Sequence, residues 1–269
     1  MILDVILNNV HSLSLKEQVM INAFSFSLFL KSKKKRTYDI INSDYDDNLW
    51  DKDVQHIDLA THDISLSDSK KVIVHYKDKL VKCRFSNFEK TYKQMLVKLL
   101  SEYIDDSIVE MGCGMGSNLL LLHNAGFKNL KGYDLSKNAI TRAKQYSKKN
   151  QLPLDFEVSD LNQSFAKNMI DGKVVFTHHC LEQCTLFMPN VLKNLVSGKP
   201  KIVINFEVDY DSASPKVKRY MNYQGYQNNL VSELKKLEKQ NEIEIISITK
   251  LPLAFNSFNV ASMIIWKTK

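Results

Sequence analysis

Glycine is scarce in this chain, with 8 in 269 residues, and so is cysteine, with 4. Cys83, Cys113, Cys180 and Cys184 form no paired framework, and a chain of this length buries enough surface to hold a core without covalent staples, so a disulfide scaffold is excluded. Long hydrophobic runs are missing too. The longest apolar stretch, Val19 to Leu30, is broken by Asn22, Ser25 and Ser27 and falls short of the roughly 20 residues a spanning helix needs. Met1 to Leu7 carries Asp4 and no lysine or arginine, the wrong charge pattern for a secretory leader, and this predicts a cytoplasmic protein. Repeats and low-complexity linkers are also lacking. What is left, 44% hydrophobic and 25% charged residues, is an ordinary soluble globular composition, and the length suits one domain with an appended cap.

Scarcity makes the clustering of glycine informative. Three of them alternate in Glu110-Met111-Gly112-Cys113-Gly114-Met115-Gly116-Ser117-Asn118, preceded by Ile108-Val109 and followed by Leu119 to Leu122. The pattern reads as a buried strand, a tight loop and a helix start. Glycine lets the backbone take conformations a side chain forbids and lets a ligand approach the main chain. A helix beginning near Ser117 then presents unpaired N–H groups and its positive end to whatever occupies the loop. A dinucleotide fingerprint would read G-x-G-x-x-G, but here the third glycine comes one residue early.

Strand and helix patterns alternate from there. Leu130 to Tyr133 is a short strand ending in Asp134, where a carboxylate can accept from both hydroxyls of a ribose. A helix over Asn138 to Lys149 buries Ala139, Ile140, Ala143 and Tyr146, with Ser136 as its cap. Leu154 to Val158 is a third strand closed by Ser159-Asp160-Leu161, and Val174 to Phe176 a fourth that runs into Thr177-His178-His179-Cys180. A helix over Leu181 to Val196 and a strand over Lys201 to Phe206 follow, then a long helical stretch over Val217 to Gln240 and two apolar runs, Ile243 to Ile248 and Ser257 to Trp266. Alternation at this spacing builds a parallel sheet with helices on both faces, and ligands bind beyond the carboxyl ends of its strands. Ahead of the first strand, Ser86 to Glu89 has the form of a capping box, and Val72 to Tyr76 with Leu80 to Arg84 suggests a hairpin.

This order of features over residues 105–210 resembles the class I S-adenosylmethionine-dependent methyltransferases. The resemblance implies an α/β fold: a doubly wound, seven-stranded, mostly parallel sheet with a final antiparallel strand. Residues 1–85 would form a helical and hairpin cap, and 86–269 the Rossmann-like domain. It implies S-adenosyl-L-methionine as cofactor. The loop residues Gly112, Cys113, Gly114, Gly116 and Asn118 would hold the methionine part, and Glu110 would meet its ammonium group or orient the loop. Asp134 and Leu135 would serve the ribose, Asp160 and Leu161 the adenine, and Thr177 would line the transfer site. Tyr38, Tyr45, Trp50, His56 and His62, ahead of the first strand, would close over the acceptor as a cap or simply pack.

The reaction needs an acceptor aligned with the cofactor's carbon–sulfur bond, water kept out and one proton removed. Histidine suits the last task, which makes His178 and His179 the candidates for base or substrate orienter. Glu182 and Tyr223 are further pocket candidates. Cys180 and Cys184 with the two histidines invite a metal, but the C-x-x-C spacing of a zinc knuckle is missing and no metal is expected.

A net charge of +7 raises the question of nucleic acid, yet the only dense basic run is Lys31, Lys33, Lys34, Lys35 and Arg36. Such a run after an apolar helix also fits peripheral contact with anionic lipid, although a buried helix with a lysine-rich exit is the expectation. Neither the Asn/Asp-Pro-Pro-aromatic motif of amino-directed nucleic-acid enzymes nor a Pro-Cys nucleophile is present. The acceptor expected is therefore a small molecule or glycan, methylated at oxygen or nitrogen. An RNA methyltransferase using the basic surface, or a catalytically silent cofactor-binding scaffold subunit, are the alternatives.

Overall fold

The computed structural model describes residues 5–34, 37, 40, 43, 70–184, 188–226, 229–255, 258 and 260–269. Tyr38, Tyr45, Trp50, His56 and His62, read above as a possible substrate cap, lie outside the described residues. A short strand β1 (His11–Ser12) precedes helix α1 (Leu15–Ser27) and a 3-10 turn, Leu28–Leu30. Ser14 and Glu17 form a reciprocal capping box at the start of α1, which the sequence reading did not single out. Strands β2 (Lys71–Tyr76) and β3 (Lys79–Arg84) pair as the expected hairpin. Lys77 and Asp78 make its turn at φ 45° and 64°, the left-handed geometry that matches the twist of the flanking strands.

Helix α2 (Phe85–Leu100) starts one residue before the expected box, with Arg84 at the N-cap and no side-chain cap. Phe85 is buried and its N–H donates to the Lys70 carbonyl at 2.9 Å, so packing against the hairpin fixes the entry in place of Ser86. The alternation then runs β4 (Ser107–Met111), α3 (Ser117–Asn124), β5 (Asn129–Asp134), α4 (Lys137–Lys149), β6 (Asp155–Val158), β7 (Val174–His178), α5 (Met188–Ser197) and β8 (Ile202–Val208). Ser136 caps α4 as expected, accepting from Ala139 N–H at 3.0 Å. The segment read as one helix from Leu181 is a 3-10 turn, Leu181–Gln183, followed by α5.

The stretch expected as one helix over Val217 to Gln240 is two, α6 (Pro215–Gln224) and α7 (Leu230–Lys239). Gly225 at φ 69° supplies the left-handed residue that ends α6. Strands β9 (Ile243–Lys250), β10 (Leu253–Ala254) and β11 (Ala261–Thr268) complete the chain.

The large sheet has seven strands in the order β6-β5-β4-β7-β8-β11-β9. β11 is antiparallel to both its neighbours and every other pair is parallel, so the expected doubly wound, mostly parallel sheet is present. Sequence order reverses across β4, with β5 on one side and β7 on the other, which opens the crevice where open α/β sheets bind ligands. The small sheet, β1-β3-β2-β10, borrows its fourth strand from the C-terminal segment: Leu253 pairs with Tyr76 and Ala254 with His75.

Strand alternation assigns side chains to two cores. Ile108, Val174, Phe176, Ile204 and Phe206 pack beneath α2, α3 and α4, together with Val72, Val74 and Cys83 from the hairpin. Val109, Met111, Val175, Val203, Ile264 and Trp266 face α5 and α7. The same period of two sorts the polar residues of these strands. Glu110 and His178 fall on the α2 side, and Thr177, Asn205 and Glu207 on the α5 side.

Candidate active site

Gly112, Gly114 and Gly116 adopt φ of 78°, 52° and 81°, the left-handed region that glycine enters without a steric penalty. Their neighbours leave no alternative at two of them. A Cβ on Gly112 would run into Cys180 Sγ, and one on Gly116 into the Phe156 ring. The loop is thus braced by β6 on one side and the β7 exit on the other. Its own donors are largely spent within the protein: Gly112 and Cys113 N–H both reach the Tyr133 carbonyl, at 2.7 and 3.0 Å, and Gly116 N–H reaches Cys113 O at 2.8 Å. Cys113 is turned inward and buried. The first turn of α3 has Gly116 as its N-cap and no side-chain cap, so its N–H groups remain the donors that an anionic or dipolar ligand would meet.

Glycine at a fourth position, missed by the sequence reading, makes this packing possible. A Cβ on Gly132 in β5 would stand 2.7 Å from Cys113 Sγ and 2.8 Å from both Leu119 Cδ1 and Phe156 Cδ1. Gly132→Ala is expected to cost about 1–3 kcal/mol by overpacking. Urea unfolding checks this, and an unchanged midpoint would refute the close-contact account.

Asp134 ends β5 against the middle of the loop. Its Oδ2 accepts from Gly114 N–H at 2.7 Å and its Oδ1 from Ser136 N–H at 2.8 Å. Glu110 lies one strand away and is buried, 1% exposed. Its Oε1 accepts from Asn118 Nδ2 at 2.6 Å, while Oε2 has no hydrogen-bond partner among the described residues. Burial pushes the Glu110 carboxyl up to about 8, the Asn118 bond opposes this, and the nearby Asp134 charge adds to it. Leu135, half-buried, sits between the two residues of the Asp134 turn. Asp160 Oδ1 accepts from Asn162 N–H at 2.8 Å in the loop after β6, and the Leu161 carbonyl accepts from Asn194 of α5 at 2.9 Å.

Beyond β7 the backbone takes another uncommon turn. His179 has φ 53°, a left-handed value in a residue other than glycine, and its N–H donates to the Phe206 carbonyl at 3.0 Å. Non-glycine residues held there are found where the surroundings over-determine them, often at functional sites. His178 points to the α2 side, where its Nε2 lies 2.6 Å from Tyr92 Oη. Burial, reinforced by the charges of Glu182 and Glu207, raises the Tyr92 phenol well above its ordinary value, so it keeps its proton within the hydrogen bond to His178.

His179 Nδ1 lies 3.3 Å from Glu182 Oε2, and the two imidazoles meet edge to face at 4.9 Å. Burial disfavours its charged form. The charge and hydrogen bond of Glu182, with the charge of Glu207, outweigh this and raise the imidazole above its ordinary value. Glu207 accepts from Cys180 N–H at 3.1 Å and Glu182 N–H at 3.3 Å. Burial and then the Glu182 charge lift it to about 7, against the pull of His179, a backbone N–H and the Thr177 hydroxyl. Behind it runs a buried chain: Trp266 Nε1 donates to Asn205 Oδ1 at 2.8 Å, and Asn205 Nδ2 to Thr177 Oγ1 at 3.0 Å.

The structure therefore brings together Glu110, the glycine loop, Asn118 and Asp134, and separately His178, His179 and Glu182 at the neighbouring strand end. Thr177 is fully buried and its hydroxyl serves Glu207 and Asn205. Tyr223 is not part of this assembly; its ring lies under the ammonium groups of Lys31 and Lys34, at 5.6 and 5.4 Å. Tyr92 and Glu207 were missed by the sequence reading. Glu207 and Asn205 had left a trace, as polar residues at alternate positions of the apolar run Ile202–Val208, whereas Tyr92 reads as one more apolar position on α2. Three residues past Phe206, buried Asp209 lines a cavity of ≈ 560 Å³ with Ile21, His75, Leu80, Arg219 and Phe258.

Residues 108–198 match the family model described as a methyltransferase domain. Those residues carry a methyltransferase domain. Two solved structures show the same fold at low identity. The magnesium protoporphyrin IX methyltransferase of Synechocystis PCC 6803, crystallised with bound S-adenosylmethionine, aligns with a TM-score of 0.54 at 13% identity, covering 86% of this chain and 96% of that one. The PH0226 protein of Pyrococcus horikoshii OT3 aligns with a TM-score of 0.51 at 19% identity, covering 67% and 91%. A search of curated protein sequences finds no match. The match to the methyltransferase model spans β4 to α5, and so includes the glycine loop, Asp134, Asp160 and the histidine pair.

Proposed function

We propose that this methyltransferase domain uses S-adenosyl-L-methionine to methylate an oxygen or nitrogen of a small-molecule or glycan acceptor. The observation that carries the cofactor is Glu110: a buried carboxylate whose second oxygen lacks a partner among the described residues, beside a braced glycine loop, suits a ligand bearing a cation. When bound, the cofactor supplies an electrophilic methyl group on a sulfonium. Asp134 would hold the ribose hydroxyls, Asp160 and Leu161 would flank the adenine, and the first turn of α3 with Glu110 would receive the carboxylate and ammonium of the methionine part.

His179 fits the base and His178 the orienter. The imidazole of His179, made more basic by Glu182 and Glu207, suits removal of a proton from an acceptor hydroxyl or protonated amine. His178 has Nε2 committed to the Tyr92 phenol and so serves to fix the wall of the site.

The test is turnover over an acceptor panel that also includes RNA. His179→Ala should lower kcat on the order of 10²–10⁴-fold with cofactor affinity kept, and His178→Ala should act mainly on KM. Two fully active variants would end the base assignment. Methylation of RNA, with retention that collapses as salt rises, would replace the small-molecule reading. Cofactor binding without turnover on any acceptor would leave a scaffold.

A further inference from the structure

Helix α1 was expected to be buried. It is instead laid on the protein by a mixed face, Glu17, Ile21, Ser25 and Leu28, and turns an apolar face outward. Leu15, Val19, Phe26 and Leu30, with Ala23 among them, follow one stripe opposite that face, and the four large ones are 76%, 57%, 65% and 81% exposed. Met20 and Phe29 flank the stripe and are exposed as well. Contacts on the inner face and at its edges hold it in this orientation: Arg219 donates to Ser25 Oγ at 3.2 Å, Lys216 donates to Asn22, and the Phe24 and Phe258 rings meet at 5.5 Å.

The end of the stripe is basic. Lys31, Lys33 and Lys34 follow Leu30 directly and are exposed, and the Lys34 N–H donates to the Tyr223 carbonyl at 2.8 Å, which docks this exit on α6. An apolar stripe of this size next to three cations matches a surface that is apolar below and anionic above. We propose that α1 and the lysines after it form a docking face for an anionic lipid bilayer, with Leu15, Val19, Phe26 and Leu30 entering the acyl boundary and Lys31, Lys33 and Lys34 meeting the headgroups. Among the described residues no helix is long and apolar enough to cross a membrane, so the contact is peripheral. The proposal does not depend on methyl transfer, and its readout is separate from the activity assigned above.

Sedimentation of the full chain with vesicles tests it, using phosphatidylcholine alone and phosphatidylcholine with phosphatidylglycerol. Retention is expected on the anionic vesicles only, and it should fall as salt rises. Val19→Glu with Phe26→Glu should reduce it more than about tenfold, because two apolar side chains lose their burial. Lys31→Gln, Lys33→Gln and Lys34→Gln together should reduce it on the order of a hundredfold, at about fivefold per lysine. Val19 and Phe26 are exposed, so thermal unfolding of that variant should match the parent, while the lysine variant should lose only the contacts that Lys31 and Lys34 make with Tyr223. Absence of retention on anionic vesicles, equal retention of the Val19→Glu, Phe26→Glu variant, or a dimer in light scattering that this variant dissociates would each overturn the proposal, the last in favour of a second copy of the chain.

Discussion

Asp134→Ala is expected to weaken binding of S-adenosylhomocysteine by roughly 10²–10⁴-fold in calorimetry, while the protein still unfolds cooperatively. The magnitude follows from two hydrogen bonds to a charged acceptor, about 1.5–3 kcal/mol each. The structure also gives the strand-end acid a role within the protein. Its two oxygens already accept from Gly114 and Ser136 N–H, so the carboxylate also fixes the centre of the glycine loop. Asp134→Asn is therefore expected to fail almost as badly as alanine. An amide has one acceptor end and one donor end, and the donor end would face a backbone N–H wherever it is placed. Equal affinity in either variant would remove both the ribose assignment and the latch.

This doubling of roles marks the limit of what the sequence could tell. The glycine spacing, the acid after β5 and the strand–helix alternation were legible because each is a local pattern with a local cause. So was the hairpin, whose turn residues accept left-handed geometry. The tie between the sheets was not legible, because β10 is only Leu253–Ala254 and its partner β2 lies far back in the chain. The break at Gly225 was marked in the sequence by a glycine and was passed over in favour of helical periodicity. The outward face of α1 could not be read from composition, since periodicity says which residues share a face and tertiary packing decides which face is covered.

At the site, the glycines and carboxylates announced themselves by type. The relay behind His179 did not. Thr177, Asn205 and Trp266 acquire meaning only when β7, β8 and β11 stand side by side, and Thr177 then serves Glu207. His178 and His179 are neighbours in sequence, but the left-handed turn at His179 sends them to different partners, Tyr92 and Glu182. The proposal that one orients and the other acts as base rests on that turn.

Glu110→Gln should change stability and binding in opposite directions. Burial raises the carboxyl from 4.5 to about 8 in the ligand-free protein, so between those values the folded state holds more protons than the unfolded one. Stability contributed by this group therefore falls as pH rises from about 4.5 to about 8 and is flat above. Glutamine is close in shape, can accept the Asn118 amide as Glu110 Oε1 does, and carries no charge to bury. The variant should thus match the parent near pH 5 and be the more stable protein in urea at pH 8 and above. Binding runs the other way. A cation beside Oε2 favours the ionised carboxyl, so binding expels a proton and parent affinity for S-adenosylhomocysteine should climb by up to about tenfold per pH unit below pH 8. Calorimetry near pH 7 in buffers of different ionisation enthalpy should register that release. In Glu110→Gln the release should vanish, the pH dependence should flatten, and affinity at pH 8 should drop on the order of a hundredfold for the lost buried ion pair. Proton release that survives the substitution would place the cation elsewhere and return Glu110 to the role of a brace for Asn118.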